Sequence, residues 1–451
     1  MVHSNNIMTF EELNLSKPLY NALQDLGFTS PTAIQEKVFA LTMSGKDVVG
    51  LAQTGTGKTF AYLLPSLRLH KFTKEKHPTV LILVPTRELV MQIVKEIQKL
   101  TTYMTLRVIG VYGGVNTKVQ IAELSDGVDF LVATPGRLVD LIDARAINPR
   151  YIKRLIIDEF DEMLNLGFRA QLNLIFAKIP EKRQNLLFSA TLSEEIEEVI
   201  TSQFNSPERV EATPVGTPLA NIEQSYYEVP NFYTKVNLLK FLLASHAEMS
   251  KVLVFVATKH MADELFEQNL CPTTENAVAV IHSNKSQNHR FASVNSFEEG
   301  SSRVLIATDI IARGIDVAEV THVINFDLPD EPQSYIHRIG RTGRIGRKGI
   351  SISFVAPKDL TPLVDIQDLM KYEIPQVEFP REVELCDRQL KEEMPKNLFM
   401  IEPEKPIVRS KESGAAFHEK IPKNQKTNTR RDFEAEMKLK YGKQYRSKKT
   451  R

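Results

Sequence analysis

Residues 47–59 read Asp47-Val-Val-Gly-Leu-Ala-Gln-Thr-Gly-Thr-Gly-Lys-Thr59. The run from Asp47 to Ala52 has strand character, and Phe60-Ala-Tyr-Leu-Leu-Pro-Ser-Leu-Arg-Leu-His70 behind it has helical periodicity. A glycine-rich turn between a strand and a helix is a phosphate cradle. Gly55 and Gly57, with Thr56 between them, let the backbone turn tightly and present N–H groups, and the helix N-terminus adds partial positive charge. Lys58 then reaches the β- and γ-phosphates of a nucleoside triphosphate, and Thr59 supplies a hydroxyl ligand for Mg²⁺. A strict form of the pattern begins with glycine, where this chain has Ala52.

Such a loop works with a carboxylate at a neighbouring strand end. Arg154-Leu-Ile-Ile157 is a strand-like run, and Asp158-Glu159-Phe160-Asp161 follows it directly. Asp158 is the expected metal residue, acting through water, and Glu159 the expected base that orients and deprotonates the attacking water. Alone, an acidic cluster there reads as a helix cap or a solvated edge; the upstream loop favours catalysis.

Short Val/Ile/Leu runs, each followed by a helical segment, fill both halves of the chain, the pattern of parallel sheets with crossover helices. The expected strands are 47–52, 79–84, 106–112, 130–133, 155–158 and 185–188, then 251–256, 277–281, 303–307, 322–326 and 350–355. Between the halves, 206–221 holds prolines and no sustained apolar period. The expected organisation is a nucleotide-binding domain over 1–208, a linker over 209–221, a second α/β domain over 222–380, and a basic, disordered extension over 381–451 in which 431–441 can form one short helix.

The chain has 451 residues, 42% apolar and 25% charged, enough for more than one buried core. Its cysteines, Cys271 and Cys386, lack metal-ligand spacing, so neither a disulfide framework nor a structural zinc site is expected, and a reducing compartment is. No apolar run is long enough to span a bilayer, and the first residues lack the regions of a secretion signal; the expectation is a cytoplasmic monomer with no membrane partner. The formal net charge of +1 hides an asymmetry: residues 405–451 carry 15 Lys/Arg against 5 Asp/Glu, a balance of +10 that leaves −9 for the rest. A basic tail on an acidic body suits a polyanion; the alternative is a solvated end with no specific partner.

From Phe10 to about Pro357 the ordered motifs resemble the DEAD-box ATP-dependent RNA helicases of helicase superfamily two. Phe10, Gly27-Phe28, Pro31-Thr32 and Ile34-Gln35 look like the family's Q motif, which implies that Gln35 reads the adenine edge and Phe28 packs on the base. Pro85-Thr86-Arg87-Glu88-Leu89, Gly113-Gly114 and Thr134-Pro135-Gly136-Arg137-Leu138 are assigned by the resemblance to the RNA backbone. Ser189-Ala190-Thr191 matches the motif that links hydrolysis to movement, with hydroxyls placed to bond Asp161. In the second half the resemblance covers Val254–Thr258, Gln287-Asn-His-Arg290, 307–316 and His337-Arg-Ile-Gly-Arg-Thr-Gly-Arg344.

The resemblance implies two tandem RecA-like parallel-sheet domains, with ATP and Mg²⁺ as cofactors and single-stranded RNA or a short duplex as partner. Arg290 and Thr308 resemble RNA contacts, Asp316 the ribose contact, His337 a coupling residue, and Arg341 and Arg344 arginine fingers that complete the ATP site from the second domain. The Arg-rich segment also reads as a plain phosphate-binding loop on the RNA surface. The implied activity is local unwinding or remodelling of short RNA duplexes through interdomain closure. A DNA-directed translocase and an RNA clamp share the fold; the Q-motif and the two backbone motifs disfavour the first, and sequence does not separate the second. One residue departs from the family: Phe160 stands where the box has alanine, and the expectation is a local repacking that leaves Asp158, Glu159 and Asp161 in place.

Overall fold

The computed structural model describes residues 8–52, 56–211, 221–271, 277–309, 320–343, 348–390 and 393. Gly55, Asp316, Arg344, most of the expected linker and the tail 405–451, with its short helix at 431–441, therefore lie outside the described residues.

The first lobe is built on β1 (Val48–Leu51), β2 (Val80–Leu83), β3 (Val108–Val111), β4 (Phe130–Ala133), β5 (Arg154–Ile157), β6 (Gln184–Ser189) and β7 (Glu208–Glu211), all parallel, in the order β3-β4-β2-β5-β6-β1-β7. Side chains alternate between two apolar cores, one on each face. Val48, Ile82, Val132 and Ile156 join one, and Val49, Leu81, Leu131 and Leu155 the other. Burial on both faces explains why these strands read as unbroken apolar runs.

The second lobe repeats the plan with β8 (Ile222–Glu228), β9 (Val252–Phe255), β10 (Val278–Ile281), β11 (Val304–Ala307), β12 (His322–Asn325) and β13 (Gly349–Val355), parallel in the order β10-β11-β9-β12-β13-β8.

Three features depart from the sequence expectation. Strand β7 occupies part of the stretch read as linker and pairs with β1 from Val48↔Glu208 to Leu51↔Glu211. Only Val210 of its four residues is buried, so an edge strand that is polar on its exposed side offered no apolar signal. Strand β8 was likewise not expected, because Glu223, Gln224, Ser225 and Glu228 dilute its pattern at the opposite edge. Residues 381–390, assigned to a disordered extension, pack on the second lobe: Val383 and Leu390 enter its core, and Cys386 accepts from Asn231 Nδ2 at 2.6 Å while its own N–H donates to Thr234 Oγ1 at 3.1 Å. Just upstream, the Val377 N–H donates to Tyr226 O at 2.8 Å, covering the β8 edge. Among the described residues no helix is long and apolar enough to cross a membrane.

Candidate functional site

In an open α/β sheet, ligands collect beyond the carboxyl ends of the strands. Here β5, β6 and β1 are adjacent, so the segments following them meet in one place, and the segments following β2, β4 and β3 form a neighbouring group. The strand order thus divides the motifs into two sets.

In the first set, helix Lys58–Arg68 starts at the loop lysine with Gly57 as its cap at φ +89°. A Cβ on Gly57 would lie 2.5 Å from Gln35 Nε2, so both conformation and space demand glycine. Gln35 is buried in the first turn of helix Ala33–Met43; its Oε1 accepts the Thr32 N–H at 2.9 Å and its Nε2 donates to Gly57 O at 3.1 Å. The Thr32 hydroxyl donates to Thr56 O at 3.1 Å. Gln35 therefore holds the phosphate loop, and its amide keeps a second donor and a second lone pair for a base. Phe28, 37% exposed, stands edge-on to Phe60 with centroids 5.1 Å apart.

Asp158 is buried at the end of β5; its Oδ2 accepts from the Tyr62 hydroxyl and its Oδ1 from the Glu159 N–H, each at 2.9 Å. Burial raises its pKa above the usual carboxyl value against the opposing pull of Lys58 and these hydrogen bonds. Glu159 has φ 52° and ψ 54°, a left-handed conformation that costs a side-chain-bearing residue about 1 kcal/mol. Glu159 Oε2 is buried with no hydrogen-bond partner among the described residues. Burial raises its pKa too, with Asp158 adding to the shift and Arg341 and Lys58 opposing it. Phe160 is wholly buried in the core that faces helices Pro135–Asp143 and Arg169–Phe176.

Asp161 gathers the motif after β6. Its Oδ2 accepts from Ala190 N at 3.1 Å, Thr191 N at 3.0 Å and Thr191 Oγ1 at 3.1 Å, while Ser189 Oγ accepts its backbone N–H at 3.4 Å. Across the cleft, His337 Nδ1 lies 2.7 Å from Glu162 Oε1 and its Nε2 lies 4.0 Å from Asp161 Oδ2. Burial alone would lower the His337 pKa, but Glu162, Asp161 and Glu159 raise it overall. Arg341, one turn on, donates from Nε to His337 O at 3.3 Å, and its charge acts on Glu159. The first lobe's carboxylates thus face cations of the second.

The second set lies after β2, β4 and β3. Thr86 caps helix Arg87–Leu100 by accepting the Leu89 N–H at 3.3 Å, and Pro85 before it is buried. Thr134 precedes helix Pro135–Asp143, and a Cβ on Gly136 would meet nothing within 4 Å, so that helix start is open. Arg87 lies over Gly114, whose φ of +80° disfavours any residue with a Cβ, and a Cβ there would displace the guanidinium. Burial and the neighbouring Arg290 lower the Arg87 pKa, the sign of cations brought together. Across the cleft, Arg87 Nη1 donates to Gln287 Oε1 at 3.4 Å, Gln287 Nε2 to Glu88 Oε1 at 3.2 Å, and Arg290 Nη1 pairs with the same Glu88 oxygen at 3.1 Å. Arg137 is different. Its buried guanidinium donates to Gln120 Oε1 at 2.5 Å and to Val115 O at 2.9 Å, bracing the glycine loop from behind. Thr308, half-buried after β11, donates its N–H to Ile281 O at 3.4 Å.

Several participants carried no sequence signal. Tyr62 reads as one more residue of an apolar helix face, and its burial, with Asp158 beside it, pushes its hydroxyl pKa well above the usual value. Glu88 and Glu162 read as ordinary acidic residues in first helical turns. Arg338 is buried, with Nε 2.5 Å from Asp309 Oδ1 and Nη1 2.6 Å from Asp327 O, a brace under the cationic helix.

Comparisons with known proteins agree with this arrangement. The DEAD/DEAH box helicase family profile matches residues 32–199, and the helicase conserved C-terminal domain profile matches 234–346. The DEAD-box ATP-dependent RNA helicase CshA of Geobacillus kaustophilus is 38% identical over 397 residues, 88% of this chain and 84% of that protein. Among solved structures, Saccharomyces cerevisiae Dbp5 bound to RNA and ADP BeF3 is 29% identical with a TM-score of 0.72, over 82% of this chain and 95% of that one. Mss116 bound to ssRNA and UDP-BeF is 27% identical with a TM-score of 0.75, over 83% and 80%. A phosphate loop and paired carboxylates on one RecA-like lobe, faced by cations from a second and matched along most of the chain, place this protein in the family of DEAD-box ATP-dependent RNA helicases.

Proposed function

We propose that this ATP-dependent RNA helicase separates short RNA duplexes locally, by a closure of its two lobes that ATP and one RNA strand drive together. The observation that carries this reading is the set of contacts across the cleft, in which His337 meets Glu162 and the Arg341 charge reaches Glu159. Closure brings the second lobe's arginines to the first lobe's carboxylates, so hydrolysis depends on both lobes.

In this reading Phe28 and Gln35 receive adenine, Asp316 the ribose, and Gly55, Thr56, Gly57 and Lys58 the phosphates. Thr59 and Asp158 would hold Mg²⁺. One buried carboxylate with one hydroxyl beside it suits an ion that retains waters and takes phosphate oxygens as its other ligands. When bound, that ion neutralises phosphate charge. Glu159 takes the proton from water as the water oxygen attacks the γ-phosphorus and the bond to the β-phosphate oxygen breaks. Its raised pKa gives the base more driving force near neutral pH. Arg341 and Arg344 stabilise the charge that develops.

For RNA, the helix starts after Thr86 and Thr134 are read as phosphate contacts: Gly136 offers an open N–H, while Pro85 and Pro135, which have none, shape the approach. Arg87, Arg290 and Thr308 add contacts from both lobes, while Arg137 ties down the Val115 carbonyl next to Gly114 and stands in the same group. Asp161, Ser189, Thr191 and His337 link the two processes. The basic stretch 405–451 is read as an electrostatic tether for RNA, and the protein as a cytoplasmic monomer.

The test compares ATP hydrolysis and strand displacement in Lys58→Ala and Glu159→Gln. Lys58→Ala should lose nucleotide affinity; Glu159→Gln should bind ATP and RNA yet turn over at least a hundredfold more slowly, on the order of what a positioned base contributes. Normal turnover in Glu159→Gln would remove it from the role of base.

A further inference from the structure

Tyr62 lies one turn beyond the phosphate-loop lysine and is fully buried. Its ring tilts against Phe188 with centroids 5.2 Å apart, and its hydroxyl donates to Asp158 Oδ2 at 2.9 Å. Thr59, one turn earlier on the same helix, is near enough to act on that hydroxyl. A phenol oxygen can donate once and accept as well, so this one atom, bonded to Asp158, stands beside both side chains read above as the magnesium ligands. Packing does not require it: a phenyl ring would fill the same apolar space, whereas a buried hydroxyl costs free energy unless it is bonded. Asp158 Oδ1 is meanwhile held by the Glu159 N–H at 2.9 Å. Each oxygen of the carboxylate thus has a donor, and its plane is fixed.

We propose that Tyr62 is a positioning residue for the divalent ion, holding the Asp158 carboxylate in orientation beside Thr59 so that the metal–nucleotide complex meets donors already set in place. The proposal rests on the assignment of Thr59 and Asp158 to Mg²⁺. Magnesium demands near-octahedral geometry, so a carboxylate free to rotate binds it less well. Groups that orient a metal's ligands typically cost roughly 10- to 100-fold in metal affinity or activity when removed.

The test is Tyr62→Phe in the full chain, which deletes one oxygen and retains the ring against Phe188. Two quantities are measured: the Mg²⁺ concentration that gives half-maximal RNA-stimulated ATPase, and the affinity for mant-ATP with Mg²⁺ present or with EDTA. The expected result is a roughly tenfold higher half-saturating Mg²⁺, with kcat nearly restored at saturating Mg²⁺ and mant-ATP binding weakened only when Mg²⁺ is present. An unchanged Mg²⁺ requirement, or equal weakening with and without Mg²⁺, overturns the proposal and leaves Tyr62 as a core residue. Asp158→Asn is measured alongside. If it keeps the wild-type Mg²⁺ requirement, the metal assignment fails and the proposal falls with it.

Discussion

Gln35 illustrates how one side chain can serve both the base and the phosphate loop. It bonds Thr32 N and Gly57 O while half of its hydrogen-bonding capacity remains for adenine. Gln35→Ala should therefore do two things: relax the preference for ATP over GTP, because the penalty on the opposite donor pattern is lost, and weaken both nucleotides together, because Gly57 loses a tie. Competition of ATP and GTP for the site separates the two effects. An unchanged preference would reduce Gln35 to a loop brace. At Glu159 the sign of the pH effect follows from its raised pKa in the free protein: the base is lost as pH falls through a value above the usual carboxyl range, so the acid limb of kcat/KM should lie above that range.

At the scale of elements, the segment after the second sheet behaves as part of the lobe. Leu390 and Val383 are buried in its core, and the Phe232 N–H donates to Glu393 Oε1 at 2.7 Å. Leu390→Ala should destabilise the protein by about 2 kcal/mol, the low end for a buried leucine because the site is near the surface. Thermal unfolding reads this directly. A melting temperature equal to the wild type would mean that the segment is only loosely applied. Strand β7 has the same lesson: it belongs to the sheet through its pairing with β1, although its composition is that of a linker.

For the whole molecule, the proposed mechanism makes the lobes depend on each other for chemistry. Arg341→Ala should lower kcat by roughly a thousandfold, in line with arginine fingers, while ATP affinity changes little. Comparable losses in kcat and affinity would place Arg341 in ground-state binding instead. Closure itself should respond to pH through His337. Its pKa is raised in the folded form, where it meets Glu162, so that favourable pairing is fully present below the ordinary imidazole value and lost as pH rises through the raised one. Fluorescence transfer between labels on the two lobes, with RNA and a nonhydrolysable ATP analogue, should show closure weakening on that alkaline side. His337→Gln should flatten the dependence; an identical profile in that variant would exclude His337 as its source.

By itself the sequence determined the two-lobe parallel α/β plan, because strands buried on both faces must be apolar throughout and stand out between helical segments. It also singled out the stretch before Lys58, and Asp158 and Glu159, as candidates, since a glycine-rich turn and a strand-end carboxylate are local patterns. Only the tertiary structure decided which motifs share a face, for strand order is set by pairing between distant segments. It gave Arg137 partners within its own lobe, Gln120 and Val115, and Arg87 and Arg290 partners across the cleft, although all three are arginines in expected RNA motifs. It drew Tyr62 to Asp158 across 96 positions of chain, a hydrogen bond that neither periodicity nor composition can announce, because a tyrosine on the buried side of a helix looks the same whether or not its hydroxyl has a partner.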